Sequence, residues 1–116
     1  MPEIIHAPAL IPVPGGKVIA EHIGRVVNGE TAVSIAVMTA PAGWEEPAQT
    51  PDFDEFTVVL EGSMDVHTDD AVLTVRAGES IITRAGERIR YACPEGARYV
   101  AVCLPAFSPD LVNREG

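Results

Sequence analysis

The chain has 116 residues, enough for one hydrophobic core and too few for two. Eight basic against seventeen acidic residues give a net charge of −9, which repels phosphate backbones and excludes nucleic acid as a partner. The 47% hydrophobic content is mostly small and β-branched side chains, and no apolar run reaches the ~20 residues of a bilayer span, so no membrane partner is expected.

Residues 1–16 carry Pro2, Pro8, Pro12 and Pro14 and are expected to form an extended arm lying across the domain or a partner. Met1–His6 has neither a basic start nor an apolar stretch of leader type, so a cytoplasmic location is expected. Residues 17–107 form the domain proper. Apolar residues come there in strand-length runs: Lys17–Ile23, Ala32–Ala40, Asp54–Leu60, Met64–Thr68, Val72–Arg76, Ser80–Thr83, Arg88–Cys93 and Arg98–Leu104. Glu61-Gly62, Asp69-Asp70, Ala77-Gly78, Ala85-Gly86 and Glu95-Gly96 are the expected turns. Short, evenly spaced strands without a helix-period segment predict an all-β antiparallel barrel or sandwich. Residues 108–116 form a short tail, in which Ser108 and Pro109 predict one capped helical turn before a frayed end.

Along Asp54–Leu60, alternation puts Glu55, Thr57 and Val59 on one face and Phe56, Val58 and Leu60 on the other. The second face is costly to leave wet at ~25 cal/mol per Å². It packs either inside the monomer or against the same sheet of a second subunit, and a homodimer is expected. Cys93 and Cys103 lie in apolar strands without CxxC spacing, so both are expected as buried, reduced thiols.

Two glycine frames carry a family resemblance. Gly43, Glu55 and Gly62 keep the spacing of one motif; Gly78 and Gly86 keep that of a second, with Arg84, Ile89 and Cys93 in the positions between and after them. With these residues the chain resembles the single-domain cupins, RmlC-like jelly rolls built as a double-stranded β-helix. Trp44, Phe53-Asp54-Glu55 and Val59-Leu60-Glu61-Gly62 narrow the likeness to ethanolamine-utilisation-type cupins. The resemblance implies a metal held by three histidines and a glutamate. Here Gln49, Pro51 and Ile89 occupy the histidine positions and only Glu55 remains, so no metal cofactor is expected. His6, His22 and His67 do not replace the lost ligands. A weaker alternative is an oxygen-only Mg²⁺ or Ca²⁺ site on Glu46, Gln49 and Glu55.

Pointed into a barrel, Glu55 would share its cavity with Met38, Thr57, Val59, Ile89 and Tyr91, with Gln49 beside it and Trp44 at the mouth. Desolvation would raise its pKa unless Gln49, Tyr91 or an arginine bonds it. Glu55 reads equally as a structural carboxylate, Tyr91 as core filling and Trp44 as a cap on the apolar end of the barrel. Arg84, Arg88 and Arg90 would either receive an anionic ligand or form surface ion pairs, and Glu45, Glu46, Asp52 and Asp54 would form a solvated rim. Two functions stay open: a metal-independent module binding a small polar metabolite, or an isomerase, lyase or epimerase using Glu55 as general acid/base with Tyr91.

Overall fold

Alternation along the central strand builds the barrel. In the computed structural model, which describes Met1–Gly116, Glu55, Thr57 and Val59 are buried while Val58 and Leu60 are exposed on the opposite face. The elements are β1 (Ala9–Pro12), β2 (Val18–Ile23), β3 (Ser34–Ala40), β4 (Trp44–Glu45), β5 (Asp54–His67), β6 (Val72–Arg76), β7 (Ser80–Thr83), β8 (Arg90–Cys93), β9 (Ala97–Leu104) and the helical turn α1 (Pro109–Val112). All strand pairs are antiparallel. One layer runs β1-β2-β3-β9-β5-β7; the other contains β4, β8, β6 and the far half of β5. The two curl over a shared core as a jelly-roll double-stranded β-helix. No helix is long and apolar enough to cross a membrane.

Two expected strands are one. Glu61-Gly62 is not a turn, because β5 runs unbroken from Asp54 to His67 and passes from the first layer into the second. The corner is a bulge, where the pairing with β9 slips between Val59 and Glu61. Gly62 makes the bend possible: it sits at φ +73, and a Cβ there would collide with the Gly96 carbonyl oxygen. β1 and β4 were not foreseen as strands. β1 is the end of the proline-rich arm, which lies antiparallel to β2 across the domain's own edge.

The core lies between the layers and includes Val59, Met64, Val66, Ile89, Tyr91 and Tyr99. A smaller cluster of Phe53, Cys103 and Val112 seats the tail, with Phe107 meeting Phe53 edge-on at a ring separation of 5.9 Å. Ser108 caps α1 as expected, its Oγ accepting from the Asp110 N–H. The tail's last residues, expected to fray, are pinned: the Glu115 N–H donates to the Ala48 carbonyl at 2.8 Å.

Candidate functional site

The barrel encloses a cavity of about 170 Å³. The arm, β2, β3, the segment from Trp44 to Glu55, β8, β9 and the tail all contribute to its lining. Glu55 enters it because it begins the buried face of β5, paired with Thr83 on one side and Cys103 on the other. Gln49 is held by a two-way backbone bridge to Ile89, with N···O distances of 2.8 and 2.9 Å. Trp44 is paired with Cys93 and is 8% exposed.

Glu55, Tyr91, Trp44, Gln49 and Met38 line the cavity. Thr57, Val59 and Ile89, expected beside them, do not: they are buried in the barrel wall at 1%, 0% and 2% exposure. Thr57 lies one inward step further along β5 than Glu55, and Ile89 packs into the main core. Pro51, at another histidine position, is buried outside the lining. His6 and His22 are exposed and His67 is half-buried beyond the core face.

Two charged residues that shape the site, Lys17 and Arg114, were not anticipated there, and Glu46 was placed there only in the weaker oxygen-only alternative. Lys17, the only lysine, lines the cavity from the turn before β2, and its Nζ stands 4.0 Å from the Trp44 ring centroid and 5.5 Å from that of Tyr99. Glu46, expected on a solvated rim, is half-buried in the lining. Arg114, from the tail, reaches over to donate to Glu46 Oε2 at 3.2 Å and to Gln49 Oε1 at 3.3 Å. The sequence signal for Lys17 was its uniqueness; for Arg114 there was none. Arg84, Arg88 and Arg90 form surface pairs: Arg84 with Asp54, Arg88 with Glu115 and Asp69, and Arg90 with Glu45.

Burial sets the electrostatics. It pushes the Glu55 carboxyl up to about 7, against the pull of Lys17 and of a hydrogen bond from Tyr91, while Glu46 pushes in the same direction as burial. Burial also lowers the Lys17 ammonium, which Glu46 and Glu55 partly offset, and raises Glu46, opposed by Lys17 and Arg114. Tyr91 is held well above the usual phenol range by burial, and its hydroxyl shares a 3.0 Å hydrogen bond with Thr83 Oγ1. A carboxyl that titrates near neutrality can accept or deliver a proton, or hold a ligand hydroxyl, at cellular pH. Both cysteines are buried, unpaired thiols raised by the same desolvation.

The donor set does not fit a transition metal. Pro51 and Ile89 offer no donor, the Gln49 amide oxygen is engaged by Arg114, and no three His, Cys, Asp or Glu converge. An oxygen-only site on Glu46, Gln49 and Glu55 fits no better, because Arg114 occupies two of the three and the Lys17 ammonium shares the space.

A jelly roll with these glycine frames and this inward glutamate defines a protein class. The family model described as a cupin domain matches residues 36–104, more than half of the chain, and the chain belongs to the cupin family. It is 40% identical over 108 residues to a Myxococcus xanthus (strain DK1622) protein named endoribonuclease YbeY. That match takes in 91% of this chain and 37% of the relative, so the chain spans little more than a third of that protein's length. Among solved structures it resembles a putative ethanolamine utilization protein Q from Salmonella typhimurium LT2, with a TM-score of 0.67, 18% identity, and coverage of 84% of this chain and 80% of that one. It also resembles the polyketide cyclase RemF from Streptomyces resistomycificus, with a TM-score of 0.76, 20% identity, and coverage of 97% and 85%. At these identities the two structures share the fold, which places ethanolamine-utilisation cupins among its structural relatives.

Proposed function

We propose that this protein is a metal-independent cupin that binds a small polar metabolite in its barrel cavity. The observation that carries this is the convergence, on a mainly apolar hollow of about 170 Å³, of one buried carboxyl, Glu55, with the Lys17 ammonium. Apolar walls with a few oriented polar groups are the general pattern of small-molecule sites. The test is native mass spectrometry with elemental analysis on protein purified without added metal. A bound small molecule is expected in wild type, with iron, manganese, nickel and zinc far below one per chain. Near-stoichiometric metal would reject metal independence.

A second reading is proton-transfer catalysis, an isomerase, lyase or epimerase with Glu55 as acid/base and Tyr91 beside it. It is favoured by Glu55 being pushed up to about 7, where both protonation states are available. Hydrogen–deuterium exchange into the recovered ligand, seen in wild type and lost in Glu55→Gln, would select it over simple binding.

The proposal includes a homodimer across the outer face of the larger layer, where Leu10, Val18, Val58, Leu60, Ile82 and Leu104 are exposed. It also includes a reducing, cytoplasmic setting, supported by the two unpaired thiols.

A further inference from the structure

One charged group in the cavity, the Lys17 ammonium, has no close ionic partner. Glu46 is paired with Arg114 at 3.2 Å, and Glu45 with Arg90 at 3.5 Å. The Gln49 side chain is engaged by Arg114 as well. No carboxylate oxygen lies within 4.0 Å of the Lys17 Nζ, and it donates none of the side-chain hydrogen bonds. Its ammonium rests on the Trp44 ring instead. Glu46 and Glu55 act on it only from beyond ion-pair distance, so this desolvated cation lacks a directly bonded anion.

Behind this cation the walls turn apolar. A smaller adjoining hollow of about 30 Å³ shares Ile11, Ile19, Met38, Cys103 and Phe107 with the main cavity. Its two polar residues are already occupied: Glu21 Oε2 accepts from the Val26 and Val27 N–H groups, and Ser34 Oγ accepts from the Phe107 N–H. Nothing polar remains there to hold a hydrophilic tail.

Building on the binding function proposed above, we infer that the ligand is a small carboxylic acid with an apolar body. Its carboxylate sits on the Lys17 ammonium, and its body lies against Trp44 and extends toward the apolar hollow. A cationic ligand would meet Lys17 head-on, and a neutral one would leave that ammonium unpartnered. One ammonium without a bidentate fork matches a single negative charge better than a phosphate dianion.

Glu55 makes the binding pH-dependent. The groups facing it are Lys17 before β2, Glu46 after β4, Tyr91 on β8, Tyr99 and Cys103 on β9, and Arg114 in the tail. Below neutrality Glu55 is protonated, and the ligand is the anion that Lys17 sees. Above neutrality the Glu55 carboxylate competes for Lys17 and repels the ligand, so affinity falls as pH rises through about 7.

Trp44 is the only tryptophan and lies against Lys17, so its fluorescence reports occupancy directly. Benzoate, benzamide and benzylamine share a shape and differ in charge. Titrated at pH 6, benzoate is expected to bind at least about tenfold more tightly than the other two. Lys17→Met abolishes that preference and Lys17→Arg restores it, with melting temperatures confirming that each variant is folded. From pH 6 to pH 8 benzoate weakens by about tenfold in wild type and stays level in Glu55→Gln. Benzamide or benzylamine matching benzoate would overturn the inference while leaving a ligand cavity intact. Silence from all three probes, checked by calorimetry, would also overturn it, and the bound molecule sought by native mass spectrometry would then decide separately whether the cavity binds anything. If Lys17→Met does not fold, the charge series on wild type and Lys17→Arg decides the matter.

Discussion

At the scale of single residues, Glu55 carries the most consequence. Its folded pKa of about 7 stands above the ordinary 4.5, so the folded state holds this proton more tightly than the unfolded chain. Between those two values the unfolded chain releases the proton and the folded chain does not. Stability therefore declines as pH rises through that window and levels off above it, by about 3 kcal/mol in all. Urea unfolding at pH 4.5 and pH 8 should show wild type losing that much more than Glu55→Gln; a difference within about 0.5 kcal/mol would mean the carboxyl is solvated. Glu21 shows the opposite use of a buried carboxylate. It is 2% exposed and accepts N–H bonds from Val26 at 3.0 Å and Val27 at 2.8 Å, holding the β2–β3 loop. Glu21→Ala should cost about 2–4 kcal/mol in chemical denaturation, because two backbone donors lose a charged acceptor. The sequence distinguished these roles only halfway. Alternation around Glu55 told which way it faced, whereas nothing near Glu21 in the chain announced that the loop ahead would fold back onto it.

At the scale of elements, period-two alternation made the long strands legible and left the short ones hidden. Trp44–Glu45 and Ala9–Pro12 are too brief for alternation to register, and both are defined by the neighbours they pair with. Glu61-Gly62 misled because glycine with positive φ serves a turn and a bulge equally well; the choice belongs to β9, which continues past the corner as a partner. Gly62→Ala isolates that corner. The new Cβ combines a left-handed backbone with a collision against the Gly96 carbonyl oxygen. A loss of at least about 3 kcal/mol is expected by thermal or urea denaturation, where an exposed turn glycine would cost about 1 kcal/mol.

At the scale of the whole molecule, the family was legible from the glycine frames, but the cavity's charge pattern was not. Lys17 and Arg114 come from opposite ends of the chain and meet Glu46 only after the arm and the tail have closed over the barrel. The outer face raises the same question between copies of the chain. Along β5 and β9 the register opposes Phe56 to Val102 and Val58 to Val100, and Val37 of β3 continues the row beyond Val100. These outward positions are apolar, with Val58 42% and Leu60 41% exposed. An apolar sheet face can meet its own copy across a two-fold axis, and burying about 800 Å² per partner is typical of a stable pair. Light scattering at micromolar concentration should therefore give twice the 12.3 kDa of one chain. Val58→Glu places a charge in the middle of the proposed contact without touching the core, because the side chain points away from it. Such a charge desolvated against its own symmetry mate should cost several kcal/mol and leave a folded monomer. A wild-type protein that already scatters as a monomer would remove the dimer. A Val58→Glu protein that stays dimeric would move the contact to another face.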